Sequence, residues 1–278
     1  MTSLTVPAPA KVNLFLHVTG RRADGYHTLE SLIVLIDLAD TISLSRRADG
    51  VIRREGHVEG VAEDTDLAVR AARALQAASG SRYGVDLALE KRIPLGSGLG
   101  GGSSDAASVL LALNRLWQLA LPRDELLRLA VGLGADVPLF VGGENTVARG
   151  IGEVLTPVSL PPSFLALAFP PATVPTADIF AAPELTRTTP SAKMDVFSEG
   201  YGRNDLVPVT ASRFPAVAAT LQALSRASPQ ARMTGSGACV FAAFPTEREA
   251  HDALTFLPQN ISGCVARTLA RHPLAAFA

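Results

Sequence analysis

From Val12 onward the chain alternates: Val12, Leu14, Leu16 and Val18 take one set of positions, and Asn13, Phe15, His17 and Thr19 the other. That period of two predicts a half-buried strand over 12–19. Asp24-Gly25 marks a turn, and residues 28–38 read as the returning strand; 41–45 and 51–54 bracket Asp49-Gly50 in the same way. Over 66–78 the spacing becomes helical, with Leu67, Val69, Ala71, Ala74 and Leu75 on one stripe and Gly80 as a stop. Val85, Leu87 and Leu89 then alternate as a strand leading to Pro94. Ala106, Val109, Leu110, Leu113, Leu116, Trp117 and Ala120 form the stripe of an amphipathic helix. Pro122 opens another, with Asp124 and Glu125 in a first turn where negative charge suits the helix dipole, and Gly132 and Gly134 close it.

The proline-rich run PVSLPPSFLALAFPPATVP over 157–175 predicts a boundary between a domain of residues 1–157 and one of residues 158–278. The second half reads as a strand over 164–169, a helix near Ala177, a helix over 215–225, a strand, a Gly235-Ser236-Gly237 turn, a strand over 238–244, a helix over 247–256 and a strand over 263–269. Grouped strands and helices in this order predict two α+β domains and argue against a doubly wound parallel sheet.

Composition narrows the function classes. Of 278 residues 47 % are hydrophobic and 18 % charged, with few aromatics, which is the profile of an ordinary globular enzyme with an Ala, Leu and Val core. Net charge is −1, and the pairs Arg21/Arg22, Arg46/Arg47 and Arg53/Arg54 flank turn signals without aromatic interleaving, so they read as solvated turn flanks and not a nucleic-acid surface. Cys239 and Cys264 are the only cysteines, which fits a reducing cytoplasm. The start MTSLTVPAPAK has no basic region followed by an apolar one, and no apolar run nears the ~18 residues needed to span a bilayer. Neither export nor a membrane partner is expected, and oligomeric state is left open.

One stretch stands apart: IPLGSGLGGGSSDAAS, residues 93–108. A helix start carries unpaired N–H groups and partial positive charge, and glycines let the preceding loop curl closely around an anion. Ser103, Ser104 and Asp105 fall where an N-cap and first turn are expected. A linker would not be flanked by a strand and a strongly amphipathic helix, so the stretch reads as a phosphate cradle. It lacks the Gly-Lys-Ser/Thr ending of a Walker A loop. Gly96, Gly98 and Gly101 satisfy G-x-G-x-x-G, but the region about 20 residues on is helix, against a dinucleotide fold. Two further polar sites stand at backbone punctuation. Lys11 and Asn13, two apart on a strand, point to one face ~6–7 Å apart; alone, Lys11 is an exposed lysine at a strand start. Asp136 sits in a glycine-entered, proline-exited kink, where a turn or capping role is open to it.

Taken together, three stretches resemble the motifs of the GHMP small-molecule kinases, in the right order: Pro9-Ala10-Lys11-Val12-Asn13-Leu14, the glycine stretch over 94–107, and Thr234-Gly235-Ser236-Gly237-Ala238-Cys239. RADGYHTLES, GLGADVPLF and RNDLVP are similar to the branch of that family whose acceptor is a cytidyl diphosphate sugar-alcohol, methylerythritol, on the non-mevalonate route to isoprenoid precursors. The resemblance runs from about Pro7 to Leu269. It implies a two-domain α+β GHMP kinase fold with the active site between an N-terminal ATP-binding and a C-terminal acceptor-side domain. It implies transfer of the γ-phosphate of ATP, with Mg2+, to the acceptor 2-hydroxyl.

The resemblance assigns ATP to Pro94, Leu95, Gly96, Ser97, Gly98, Leu99, Gly100, Gly101, Gly102, Ser103, Ser104 and Asp66. Lys11 and Asp136 match the family's catalytic pair. A carboxylate can take the hydroxyl proton while an ammonium orients the hydroxyl, and phosphoryl transfer asks mostly for positioning and charge stabilisation. Tyr26 and His27 match its cytosine contacts, Phe180 is a stacking face, Asn13 matches a methylerythritol contact, and Thr176 is carried over on the Pro175-Thr176 dipeptide alone. The Gly235 to Gly237 turn supports the phosphate loop, approaches the acceptor, or is a plain hairpin turn.

Two departures stand out. Gly101-Gly102 precede Ser103-Ser104 where many relatives carry the serines at once, leaving open which hydroxyl touches magnesium; and Asp66 stands where relatives often have asparagine. Other readings are a GHMP kinase with mevalonate, homoserine or a sugar as acceptor, which Gly25-Tyr26-His27 argues against, and a nucleotide-binding module without catalysis.

Overall fold

The computed structural model of the chain describes residues 1–191 and 201–278. Its first two strands are longer than alternation predicts: β1 runs Ser3–Arg21 and β2 His27–Arg47. They pair antiparallel about the Asp24-Gly25 turn, where Gly25 takes φ +91°. The predicted strand over 12–19 extends back through Pro7 and Pro9. A proline has no N–H to give a ladder, and the register slips between Pro9 and Ala10. The segments over 28–38 and 41–45 are one strand. Asp37 and Asp40 interrupt its apolar pattern because their carboxylates serve other segments: Asp37 Oδ1 accepts from the Arg267 amide at 2.7 Å, and Asp40 Oδ1 from the Arg92 and Ile93 amides at 2.6 and 2.8 Å.

Among the described residues β2 is the hub of a ten-stranded sheet. Its end pairs with β4 (Gly84–Glu90), which pairs in parallel with β3 (Ile52–Glu55). Its start pairs with β5 (Thr146–Gly150), itself joined to β6 (Val154–Pro157). β10 (Ser262–Leu269) pairs along its length with β7 (Phe164–Phe169) and, at Thr268 and Leu269, with β2, linking the two halves of the chain. β9 (Val240–Phe244) lies beyond β7, and β8 (Arg232–Met233) beyond β9.

Four helices build the first core: α1 (Leu67–Ser79), α2 (Gly101–Leu116), α3 (Arg123–Val131) and α4 (Val137–Gly142). Leu75, Leu110, Leu113 and Phe140 pack there against Leu44 and Leu87 of the sheet. α1 starts and stops as the sequence predicts, with Asp66 accepting from the Ala68 amide at 2.9 Å and Gly80 left-handed at φ +64°. The second core joins β7 and β9 to α5 (Thr176–Ala181), α6 (Val207–Arg213), α7 (Pro215–Leu224) and α8 (Glu247–Leu254); Leu206, Val217, Leu224 and Val240 are among its buried members. α8 opens on a capping box between Thr246 and Glu249. The tail then returns to the first core, burying Leu274 there and pairing the His272 amide with Gly143 O at 2.8 Å. Among the described residues no helix is long and apolar enough to cross a membrane.

β1 is buried across most of its length on both side-chain sets, not half-buried as the alternation predicts. Segments remote in sequence close over it: Leu16 N donates to Arg203 O at 2.9 Å, Asp205 N to Leu16 O at 2.9 Å, and Asn13 N to Thr234 Oγ1 at 2.9 Å. This covering is what makes a site of its polar positions.

Candidate active site

The glycine loop over 94–100 delivers the chain from β4 to α2. Gly96, Gly98 and Gly100 take φ of +66°, +77° and +74°, a region that only glycine enters without strain. Three loop carbonyls point inward: Ser97 O accepts from Cys239 N at 3.1 Å, Gly98 O from Lys11 Nζ at 3.0 Å, and Leu99 O from Lys11 N at 3.0 Å. Pro94, Leu95, Gly96 and Gly102 stay exposed.

α2 begins at Gly101, with left-handed Gly100 as its cap, so Ser103 and Ser104 belong to the first turn and none of Ser103, Ser104 and Asp105 caps the helix as expected. The first helical bond is Ser104 N to Gly100 O at 2.9 Å, which leaves the amides of Gly101, Gly102 and Ser103 as the free donors of the helix start. Ser104 turns its hydroxyl inward to Pro9 O at 2.6 Å. Ser103 is the partly exposed hydroxyl of this turn.

Asp105 lies beneath the turn in a buried cluster. Lys91 Nζ donates to Asp105 Oδ2 at 2.5 Å and to Asp40 Oδ2, while Asp40 Oδ1 holds the amides that open the loop. Burial alone would lower the Lys91 pKa, but Asp105 and Asp40 outweigh it and hold the ammonium above its usual value. One ammonium faces two carboxylates. Burial first, then the Asp40 charge working against the relief from Lys91, pushes Asp105 up to about 7.

Lys11 is 5 % exposed and sits within a long strand, not at an exposed strand start as it reads in isolation. Its ammonium donates to Asn13 Oδ1 at 2.7 Å and to Gly98 O at 3.0 Å, and faces Asp136 Oδ2 at 3.8 Å. Asp136 stands at the N-terminus of α4 but makes no side-chain cap, and its side chain is 45 % exposed. α4 is held by Phe140, whose ring lies 3.2 Å from where a Gly100 Cβ would be. A buried cation thus meets an open carboxylate where the glycine loop becomes a helix.

The third glycine stretch packs directly on the loop. A Cβ on Gly98 would lie 2.7 Å from Thr234 O and 2.9 Å from Gly237 O. The stretch also orients Asn13: Thr234 Oγ1 donates to Asn13 Oδ1 at 3.3 Å, and Asn13 Nδ2 donates to Ser31 Oγ at 2.8 Å. Thr176 Oγ1 lies 2.7 Å from Ser236 Oγ, which ties α5 to the same turn. Of the readings open in the sequence, a plain hairpin turn does not describe these contacts.

Further along, His27 opens β2 with its ring 5.3 Å from that of Phe180, tilted by 33°. Tyr26 beside it is 62 % exposed. Burial first, then the charges of Arg187 and Arg21, lowers the His27 pKa. Asp66 lies near the helix start, since Leu67 Cδ1 is 3.8 Å from a Gly102 Cβ position, yet both its oxygens are engaged. Oδ1 caps α1 and Oδ2 accepts from Arg54 Nη1 at 2.7 Å, with both side chains buried. The contacts of Asp66 are therefore structural ones.

Sequence reasoning missed Arg54, Lys91, Ser31, Thr234 and Arg187. Lys91 and Thr234 lie in or beside motifs already singled out. Ser31 closes the RADGYHTLES stretch; Arg54, expected as a solvated turn flank, is instead buried against Asp66, and it and Arg187 carry no local signal because their partners are 12 and 160 positions away. Among the described residues no group of three or more His, Cys, Asp or Glu could hold a metal.

Comparison with known proteins identifies the family. Residues 66–144 match the family model described as GHMP kinases N terminal domain, and residues 189–263 that described as GHMP kinases C terminal. The chain is 57 % identical over 275 residues to 4-diphosphocytidyl-2-C-methyl-D-erythritol kinase of Thiobacillus denitrificans, with 99 % of both chains covered. To the kinase of that name from Cupriavidus necator it is 55 % identical over 277 residues, covering 98 % of this chain and 95 % of the other. A crystal structure of 4-(cytidine 5'-diphospho)-2C-methyl-D-erythritol kinase superposes with a TM-score of 0.85 at 35 % identity, over 95 % of this chain and 99 % of the other. A homoserine kinase from Cytophaga hutchinsonii shares the fold, with a TM-score of 0.69 at 18 % identity over 98 % of this chain and 96 % of the other.

Proposed function

The chain belongs to the GHMP kinase family, and on that premise we propose that it transfers the γ-phosphate of ATP to the 2-hydroxyl of 4-diphosphocytidyl-2-C-methyl-D-erythritol, toward isoprenoid precursors. The observation that carries the reading is the buried Lys11 ammonium 3.8 Å from the open Asp136 carboxylate, at the foot of a glycine loop that ends in free helix-start amides.

Each part has a physical task. The amides of Gly101, Gly102 and Ser103 receive the phosphates, where the helix dipole and unpaired N–H groups both favour negative charge. Asp136 takes the proton of the acceptor hydroxyl as its oxygen bonds to the γ-phosphorus and ADP leaves. Lys11, fixed by Asn13 and Gly98, keeps a positive charge beside that oxygen. Holding donor and acceptor in line supplies much of the remaining acceleration.

Magnesium would be held mainly by the ATP phosphates, with Asp136 and Ser103 as the protein groups open to it. A hard cation that keeps several waters needs few protein ligands, which fits a site with one open carboxylate, Asp136, and one partly exposed hydroxyl, Ser103, in place of an acidic cluster. When bound it offsets charge on the transferring group. His27, Phe180 and Tyr26 take the cytosine end, with Thr176 and Asn13 between base and reacting hydroxyl. Residues 1–157 form the ATP-side domain and 158–278 the acceptor-side domain, whose tail packs back on the first core, and the cytoplasm is the compartment.

An ATP-consumption assay across the cytidyl acceptor, mevalonate, homoserine and a sugar tests the reading; turnover with the cytidyl acceptor alone is expected. Asp136→Asn lowers kcat at least ~100-fold, the size expected for losing a general base, with ATP affinity nearly intact. Preference for another acceptor, or full turnover in that variant, overturns it.

A further inference from the structure

Arg187 is not part of the chemistry described so far, yet its guanidinium is engaged on every side. Nε donates to His27 Nε2 at 2.9 Å. Nη2 donates to Phe180 O at 3.1 Å and Ala182 O at 2.6 Å, and Nη1 to Leu185 O at 3.0 Å and Pro183 O at 3.5 Å. Phe180 and Ala182 are at the C-terminal end of α5, where carbonyls lack helical partners and a cation is favoured. All five N–H donors are used, and one of them reaches across 160 positions of sequence to the ring of His27.

Arginine offers donors only and does not lose its proton in proteins. The imidazole nitrogen facing it must therefore present a lone pair, and the ring's hydrogen must sit on Nδ1. We infer that Arg187 is a positioning residue for the acceptor: it locks neutral His27 in the Nδ1–H form and holds Phe180 against the same ring, presetting one donor and one stacking face for the nucleobase. The inference rests on the proposed cytidyl acceptor and adds to it a reason for specificity. A base is held through an acceptor atom on its edge, because the half-buried ring has no lone pair left to offer.

Electrostatics agrees with the geometry. The charged groups that face His27 are Arg187, from the segment after α5, and Arg21, at the end of β1; with burial, the largest cause, they lower the ring's pKa. Protonation would set an N–H against the Arg187 N–H. Any loss of acceptor binding on acidification should then set in at lower pH than an unrestrained imidazole would give.

Long-range proton–nitrogen NMR on the ligand-free, 15N-histidine-labelled protein reads the tautomer directly. His27 is expected with protonated Nδ1 and unprotonated Nε2. In Arg187→Met the ring is expected to gain Nε2–H and to titrate closer to 6.5. KM for the cytidyl acceptor should rise about tenfold, the size of one neutral hydrogen bond, with kcat and the KM for ATP within twofold. Nε2–H in the unaltered protein overturns the inference whether or not the variant folds, as does an equal rise in both KM values. Failure of the unaltered protein to turn over the cytidyl acceptor removes the proposed function, whereas normal turnover with the wrong tautomer removes this inference alone.

Discussion

Gly98→Ala tests whether the glycine loop and the late glycine turn act as one body. At φ +77° an alanine there carries the left-handed penalty of about 1 kcal/mol. Its methyl group would also sit 2.7 Å from Thr234 O and 2.9 Å from Gly237 O, closer than real Cβ contacts allow. Neither oxygen yields cheaply. The 234–239 segment is closed by Thr234 N to Cys239 O and Gly237 N to Thr234 O, both at 3.0 Å, and is tied to the loop by Cys239 N to Ser97 O at 3.1 Å. Forcing the two backbones apart adds about 2 kcal/mol, a typical cost of overpacking, for a total near 3. Gly96→Ala is the control: its φ of +66° carries the same left-handed penalty, but its nearest neighbour is Thr173 Cγ2 at 3.4 Å, an ordinary contact. Urea unfolding should therefore place the Gly98 variant below the Gly96 variant by roughly half a molar to one molar in midpoint. Turnover should also fall further, because Gly98 O holds the Lys11 ammonium. Equal midpoints and equal rates in the two variants would refute the claim that the segments are clamped together.

Two more outcomes follow from the buried charges. In Asp105→Asn the cluster keeps its Lys91–Asp40 pair but loses a carboxyl whose folded value is about 7 against 3.8 unfolded. A raised carboxyl favours the folded state at acid pH and loses that advantage as pH climbs through its folded value, so the natural protein should lose about 2 kcal/mol relative to the variant between pH 5 and 7; parallel melting curves across that range would contradict this. Arg54→Met leaves the Asp66 carboxylate buried without its 2.7 Å partner, and removing one member of a buried pair costs about 3 kcal/mol. Denaturation that matches the natural protein would show that Asp66 finds other company.

Much of the fold is legible because local chemistry decides it. Asp66 and Gly80 bracket α1, Asp124 and Glu125 open α3, alternation marks β4, and β7 and β10 fall where short apolar segments read as strands. The short pieces are not: α4 and β5 span 6 and 5 residues, too few to display a period, and they form by packing on elements already in place. In the site, strand geometry puts Lys11 and Asn13 on one face, and a 2.7 Å bond joins them. What the strand pattern conceals is burial. Lys11, Asn13 and His17 occupy the positions an amphipathic strand gives to water, and it is remote segments that enclose them: the glycine loop over Lys11, Thr234 over Asn13 and Arg203 over His17. The helix start is misread because serine and aspartate are good caps, whereas here left-handed Gly100 turns the chain. Arg187 is invisible for a related reason: its meaning lies in a ring far back in the sequence.

The strand that joins the two cores has a bearing on biosynthesis. β10 is the last strand of the sequence, yet it lies in the interior of the sheet, with β2 on one side and β7 on the other. Behind it, Leu274 fills a gap in the first core, and Arg123 reaches forward to Ala278 O at 3.1 Å. A nascent chain emerging from the ribosome cannot finish its leading half and move on. That half must wait, with an unzipped seam, until β10 has been made.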